Sequence, residues 1–256
     1  MLNKVHLFYF SPTGGTLKVS KAFCDFIGKT VQTTNLGDRN ALVENVNIDD
    51  ADLAVFAAPV FAGRIPQFVC DKISMIKAKG KSAVVIAVYG NRAYEDAMTE
   101  LFDCAEKSSF NVIGAGAFVA QHSLAPNVAV GRPDNEDMKE IENFANAVLD
   151  KIKKGVKDKP TFCANRPYKD KKAMPYSPYT SSDCIKCQKC VRICPTAAVT
   201  LESDGIKTDN DKCILCAACV AGCPKKARII PEASREHTKQ ILAPYANMRN
   251  KNEFFI

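Results

Sequence analysis

Five runs of apolar, β-branched or aromatic residues mark the N-terminal half of the chain: Lys4–Phe10, Val31–Leu36, Asp52–Ala58, Ser82–Tyr89 and Asn111–Val119. Runs of this length, bounded by turn residues, suit strands buried on both faces of a parallel sheet. Between them apolar positions recur at helical spacing. Val19, Phe23, Phe26 and Ile27 share one face, and Gly28 is placed to cap that helix. Pro66 opens a second helix, with Phe68, Val69, Ile73 and Ile76 on one side, and Ala93–Lys107 is a third. The fourth, Asp134–Lys154, carries Met138, Ile141, Phe144, Ala145, Val148, Leu149 and Ile152 as one stripe. Its first turn is acidic, its last turn basic, and Gly155 follows, as the helix dipole favours. This alternation predicts an α/β doubly wound domain with a five-stranded parallel sheet over residues 1–155.

The pattern then changes. Residues 156–180 are rich in Lys, Pro and Tyr, and Pro160, Pro167, Pro175 and Pro178 make them a stiff linker. Residues 181–231 hold one cysteine pattern twice: Cys184-x2-Cys187-x2-Cys190-x3-Cys194-Pro195 and Cys213-x2-Cys216-x2-Cys219-x3-Cys223-Pro224. Four thiolates hold a cubane iron–sulfur cluster, and in this run the fourth cysteine serves the other cluster. The expected ligand sets are therefore Cys184, Cys187, Cys190 and Cys223, and Cys213, Cys216, Cys219 and Cys194. Ile185, Val191, Ile193, Ile214 and Val220 supply an apolar shell. A zinc ribbon takes four ligands in paired C-x2-C motifs and does not need the x3 cysteine followed by proline. A disulfide scaffold needs a secretory setting, and Val5–Phe10 is too short and lacks the cleavage signal of a leader. The other cysteines, Cys24, Cys70, Cys104 and Cys163, are scattered and read as small buried apolar residues.

The cysteine runs resemble the two-[4Fe–4S] ferredoxins of anaerobic bacteria. The resemblance implies a small α+β domain in which Val199–Thr208 is a hairpin turning at Asp204-Gly205. It also implies a cytoplasmic setting.

Charge first suggests something else. The formal net charge is +7, and the window Lys151–Lys172, with eight Lys and one Arg against Asp158 and Asp170, accounts for all of it. Two oxidised cubanes with their thiolates add about −4. Nucleic-acid binding is therefore not expected, and no run is long enough to span a membrane. The basic window is either a docking patch for an acidic redox protein or a solvated linker.

Ligands of doubly wound sheets sit at the carboxyl ends of the strands. The first strand ends in Ser11-Pro12-Thr13-Gly14-Gly15-Thr16, dense in hydroxyls and glycines, with a helix behind it. Such a loop points successive N–H groups at a phosphate, although an ordinary helix cap has a similar composition. It lacks the lysine of a nucleotide triphosphate loop. It resembles the phosphate loop of the flavodoxins, which implies FMN held by Ser11, Thr13, Gly14, Gly15 and Thr16. Two further loops extend the resemblance. Pro59, Val60, Phe61 and Ala62 follow the third strand, and Tyr89, Gly90, Asn91, Arg92 and Tyr94 follow the fourth. Tyr94 matches the tyrosine that stacks on the flavin, or is an ordinary helix-entry aromatic. The chain has no Trp, so Val60, Phe61 or Ala62 must serve the other flavin face. Arg92 and Arg64 either attract an anion or pair with local carboxylates. His122, after the fifth strand, is a proton donor to the flavin edge or a structural loop residue, and with Arg92 it is a weak catalytic candidate. Gly114-Ala115-Gly116 reads as strand packing rather than a dinucleotide loop.

Together these features resemble flavodoxin–ferredoxin fusion proteins of anaerobes: residues 1–155 for FMN, 156–180 as linker, 181–231 for two [4Fe–4S] clusters and 232–256 as a tail. The leading expectation is an electron-transfer protein that relays low-potential electrons to a ferredoxin, a flavodoxin or an oxidoreductase. An FMN-dependent reductase of a small-molecule acceptor is the alternative, and a redox or oxygen sensor a weaker third. The tail's apolar Phe254-Phe255-Ile256 is expected to pack on a domain.

Overall fold

The five apolar runs all become strands: β1 (Leu2–Tyr9), β2 (Gly28–Asn35), β3 (Leu53–Pro59), β4 (Ser82–Tyr89) and β5 (Asn111–Val119). The computed structural model describes residues 1–171 and 175–256. Residues 172–174 of the 156–180 linker, Lys172 of the basic window among them, lie outside the described residues. Three helices connect the strands, α1 (Gly15–Ile27), α2 (Gln67–Ser74) and α3 (Ala97–Lys107), and a fourth, α4 (Asn135–Lys153), follows β5. The strands β5-β4-β3-β1-β2 are parallel, in the order of the flavodoxin-like doubly wound sheet, with the switch point beside β1. Alternate residues feed opposite layers. Phe56 and Ala58 join the cluster under α2 and α3, while Val55 and Ala57 join the one under α1 and α4.

The sheet has six strands, not five. A short strand from the tail, Glu253–Phe255, pairs antiparallel with β5, Phe255 opposite Ala115. Its two phenylalanines point to opposite faces: Phe254 packs on Phe144 at 5.1 Å and Phe255 on Phe162 at 5.6 Å. Three residues are too few to show a period, so the sequence pattern reads only as an apolar end.

Gly28 does not cap α1 in a left-handed turn. Its φ is −123° and it begins β2 directly. The position needs glycine because a Cβ there would meet Val5 Cγ2 at 2.6 Å. Helix α3 starts at Ala97, not Ala93, because Asn91 and Glu95 take left-handed conformations that interrupt the helical run. Cys70 and Cys104 are not independent apolar residues: α2 and α3 lie side by side and the two form a disulfide, with Cα atoms 5.4 Å apart. Cys24 is buried and free, whereas Cys163 is exposed. The Gly114–Gly116 stretch is strand packing, since Cβ atoms there would meet Phe144 and Val148 of α4.

The C-terminal unit is small. Strand β6 (Tyr179–Thr180) pairs with β9 (Arg228–Ile229), and β7 (Val199–Glu202) forms a hairpin with β8 (Gly205–Thr208). The hairpin turns at Ser203-Asp204, and Gly205, with φ +144°, opens the return strand. Each cysteine run feeds a short helix, α5 (Lys189–Ile193) and α6 (Ala218–Ala221), and α7 (Glu232–Leu242) leads to the sixth sheet strand, β10. No helix among the described residues is long and apolar enough to cross a membrane.

The basic window is not a free patch. Lys159 pairs with Glu106, Arg166 with Asp103, Lys169 with Glu95 and Lys171 with Glu100, so the linker is strapped across α3 and the loop before it. The tail is held as firmly. Arg132 pairs with Asp137 at 2.5 Å, and Asp137 is 1% exposed. Asn252 donates to the same carboxylate at 2.8 Å, and Arg132 Nη1 donates to the Asn250 carbonyl at 2.7 Å. Burial alone would raise the Asp137 pKa, but hydrogen bonds from Arg132, the Asp134 N–H and Asn252 outweigh it and hold the carboxyl below its ordinary value.

Removing one partner of a buried pair leaves the other charge unpaired. Arg132→Leu is expected to destabilise the fold by about 3 kcal/mol, measured by chemical denaturation. The folded-state pKa of Asp137 is depressed, so its contribution is complete above the ordinary carboxylate range and lost as pH falls through the folded value. The gap between wild type and Arg132→Leu should therefore narrow in acid.

Candidate cofactor sites

The two cysteine runs fold alike. Lys186 and Leu215, Gln188 and Ala217, and Ala197 and Lys226 occupy equivalent places in the repeats, and all six take positive φ, from 49° to 61°. These left-handed turns curl each run so that N–H groups face its sulfurs. The Lys186 N–H lies 3.4 Å from Cys184 Sγ, and the Ala227 N–H lies 3.3 Å from Cys223 Sγ. One cavity is lined by Cys184, Cys187 and Cys190 of the first run together with Cys223 of the second. Cys194 is buried in one cluster with Cys190 and Cys219, against which Cys184 and Cys213 pack. Among the described residues no three His, Cys, Asp or Glu side chains converge as a single-ion site requires. The thiols surround a space rather than a point. That arrangement fits a multi-iron core.

Burial raises the thiol of Cys216 to about 12. A buried thiol ionises only beside positive charge, which a metal core brings. One protein cation serves both groups. Arg228 is 2% exposed, lines the first cavity, and places Nη2 4.0 Å from Cys219 Sγ. Its Nη1 donates to Thr180 Oγ1 and Nη2 to the Pro178 carbonyl at 2.8 Å, while Nε has no partner among the described residues. In the first repeat the same place is Val199. The resemblance drew attention to the cysteines and passed over this arginine, although the break in repeat symmetry was visible.

The loops after β1, β3, β4 and β5 emerge at one edge of the sheet, as parallel strands require. After β1, Gly14 is left-handed at φ +95° and precedes α1. Ser11 Oγ accepts the Leu17 N–H at 2.9 Å, so Ser11 caps α1 whatever else it does. Thr13 and Gly14 are exposed and Thr16 is buried. Among the described residues no protein acceptor takes the N–H groups of Thr13, Gly14, Gly15 and Thr16. They fit an anion at the helix start.

After β3, Phe61 and Arg64 close a tight turn through Ala62 and Gly63, both with positive φ. Pro59 is buried and Val60 is half-buried. Phe61 packs edge-on to Phe10 at 6.4 Å, which makes it the aromatic of that loop. Arg64 is committed to Glu100 at 2.9 Å and lies over the Tyr168 ring, so it draws no external anion.

After β4 the structure divides the expected residues. Tyr89 is buried and its hydroxyl donates to the Lys251 carbonyl at 2.6 Å. Asn91 is fully buried. It donates to the carbonyls of Tyr245 and Met248, at 3.0 and 2.7 Å, and its Oδ1 accepts the Asn250 N–H at 3.1 Å. These two side chains anchor the tail and are not free for a cofactor, a correction to the expectation from sequence. Tyr94 stands edge-on to Tyr89 at 5.6 Å and donates to Glu253 at 2.7 Å. It sits in the turn before α3 and is half-buried. Arg92 pairs with Glu95 at 2.5 Å. His122 lies against Gly90, where a Cβ would meet its ring at 2.4 Å. Its Nδ1 accepts the N–H groups of Leu124 and Ala125, both at 3.2 Å. Burial, aided by the charge of Arg92, lowers its pKa to about 4. The ring is therefore neutral near pH 7, with its proton on Nε2.

Residues 183–238 match the family model of the 4Fe-4S dicluster domain. The chain thus joins a domain of flavodoxin-like topology to a dicluster segment. No curated protein matches the sequence. Similar solved structures include the Flv1 flavodiiron core from Synechocystis, at 18% identity and TM-score 0.45 over 60% of this chain and 37% of that one. The rubredoxin oxygen:oxidoreductase of Desulfovibrio gigas is 17% identical, with TM-score 0.46, over 59% of this chain and 36% of that one. A Fusobacterium nucleatum flavodoxin bound to flavin mononucleotide is 18% identical, with TM-score 0.43, over 61% of this chain and 100% of that one. The chain spans little more than a third of the first two. At these values the likenesses add nothing to the topology read from the strands themselves.

In the dicluster segment Arg228 is the residue to test. Removing a buried cation beside thiolates disfavours added negative charge. Arg228→Leu is expected to make the potentials of both iron–sulfur groups more negative, as read by a redox titration followed by electron paramagnetic resonance. Two unit charges 4 Å apart in an effective dielectric of about 20 interact by roughly 4 kcal/mol, which sets the ceiling of the shift.

Proposed function

We propose that the protein relays low-potential electrons between two [4Fe–4S] clusters and an FMN, and on to a redox partner protein. One observation carries this reading. Cys216 and Ala218 of the second run are buried in the same apolar cluster as Phe10 and Tyr89, and Ile214, Val60, Phe61 and Tyr94 pack against it. The second cysteine group is therefore joined by dry, packed side chains to the loops at the carboxyl edge of the sheet. Water is excluded between them and the two sites belong to one molecule, so transfer needs no encounter.

In this reading Cys184, Cys187, Cys190 and Cys223 hold one cluster, and Cys213, Cys216, Cys219 and Cys194 the other. Thr13, Gly14, Gly15 and Thr16 hold the flavin phosphate, with Ser11 fixing the loop. Phe61 and Tyr94 border the ring, the first from the β3 loop and the second from the β4 loop. Iron–sulfur clusters move single electrons and FMN takes one or two, which lets the flavin match the two kinds of carrier. The Nε2 proton of His122 is available at that edge. The charge of Arg92 near His122 also supports a second reading, reduction of a small molecule at the flavin.

Anaerobic photoreduction of the loaded protein, followed optically, separates the two. The relay requires flavin and clusters to equilibrate with each other and with an external ferredoxin; steady reoxidation by one small compound favours the reductase. Gly14→Ile forces a side chain into a left-handed position. It is expected to weaken FMN binding at least tenfold, measured by fluorescence quenching, with iron content unchanged. Cys194→Ala tests the exchanged ligands: the cluster of the second run should be lost and that of the first retained. Loss of only the first-run cluster overturns the assignment.

A further inference from the structure

The two cysteine loops share one backbone and an isoleucine after the first cysteine, but differ at the three positions where the first carries Lys186, Gln188 and Lys189. The second reads Cys213-Ile214-Leu215-Cys216-Ala217-Ala218-Cys219, and Leu215 through Cys219 are buried. It is seated against the sheet domain. The first reads Cys184-Ile185-Lys186-Cys187-Gln188-Lys189-Cys190, and Ile185 through Lys189 are exposed. Ile185 is 59% exposed, which is unusual for a large apolar residue without a partner. The face that the second loop buries against another domain is thus open in the first.

That open face is cationic. Lys186, Lys189 and Arg192 come from the first loop and α5, and Lys225 and Lys226 follow Cys223 and Pro224; Lys189 and Lys225 line the first cavity. All five are exposed. The ion pairs of this unit among the described residues are Lys207–Asp204, Lys212–Asp209, Arg235–Glu232 and Lys239–Glu236, and none of the five takes part in them. Arg192 donates only to the Cys187 carbonyl, at 3.2 Å. Asp183 and Asp204 are the nearby exposed carboxylates, and Asp204 is already paired. An oxidised cubane with its four thiolates carries about −2, which leaves the face positive. By contrast, Lys159, Arg166, Lys169 and Lys171 of the linker are committed to α3 and the loop before it.

We infer that the face around Ile185, Lys186, Lys189, Lys225 and Lys226 docks an acidic one-electron carrier protein and is the port through which electrons pass between that carrier and the first cysteine group. This rests on the relay reading. A small apolar centre ringed by like charges suits a short-lived encounter: the charges steer and orient the partner, and the limited apolar area lets it leave. The step is a plain transfer of one electron from the reduced carrier to the oxidised cluster, with no bond made or broken. The second group, buried against the sheet domain, lies on the inner side of the port.

The test uses the full-length loaded protein and, as probe, a reduced acidic two-[4Fe–4S] ferredoxin, mixed anaerobically in a stopped-flow instrument. The expected second-order rate constant falls at least tenfold as salt rises from about 0.02 M to about 0.5 M, because screening removes the steering. The variant K186E/K189E/K225E/K226E, with wild-type iron content, is expected to react at least tenfold more slowly at low salt and to speed up with salt. Lys139→Glu, on the remote helix α4, should match wild type. A rate that is independent of salt and unchanged in the fourfold variant overturns the port. If the variant fails to take up iron, the salt dependence of the wild type decides alone. Cluster reduction with the expected salt dependence but without flavin reduction upholds the port and refutes the relay.

Discussion

A cysteine loop made of isoleucine, leucine and alanine cannot stay in water. The second repeat satisfies this by sinking Leu215, Cys216 and Ala218 into the protein, the last two within the apolar cluster that also holds Phe10, Phe56 and Tyr89. Much else follows from that burial. It fixes which thiol group faces the sheet domain and which faces out. It brings the linker back across α3, where four ion pairs fasten it. It also leaves the chain after the repeats close enough to return to the sheet and bind Asn91, Arg132 and Asp137.

Spacing and period made part of this legible. Eight cysteines at fixed intervals admit few chemistries, and five apolar runs alternating with amphipathic helices admit few topologies. What stayed hidden depends on partners distant in sequence. Cys70 and Cys104 are bonded across two helices, 34 residues apart, and nothing local to either records it. The linker lysines read equally as a docking patch or a solvated run because their carboxylates lie far away in the sequence. Asn91 and Tyr89 sit in a loop whose pattern suggests a ligand, yet their side chains are occupied by the tail. Gly28 was expected as a cap from its place after a helix, but the close approach of Val5, a tertiary fact, is what requires it.

Repeat symmetry was legible and its breaks were the more informative part. Where the second loop has Leu215 and Ala218, the first has Lys186 and Lys189, and where the first repeat has Val199, the second has Arg228. A duplicated backbone with unlike side chains gives two sites of similar shape in unlike fields. One position is buried against an apolar domain and the other opens to solvent among lysines, with Arg228 shared between them. Identical chemistry in the two places would then operate at different electrical potentials.

The small strand at residues 253–255 bears on how the molecule is made. It covers the β5 edge of the sheet, a row of backbone groups that otherwise invites pairing with another chain. Domains fold as units while the chain is being synthesised. This strand is translated after both cysteine repeats, so the sheet domain emerges with that edge bare and stays so while the repeats are still being made. Closure of that edge therefore waits until both repeats have been made.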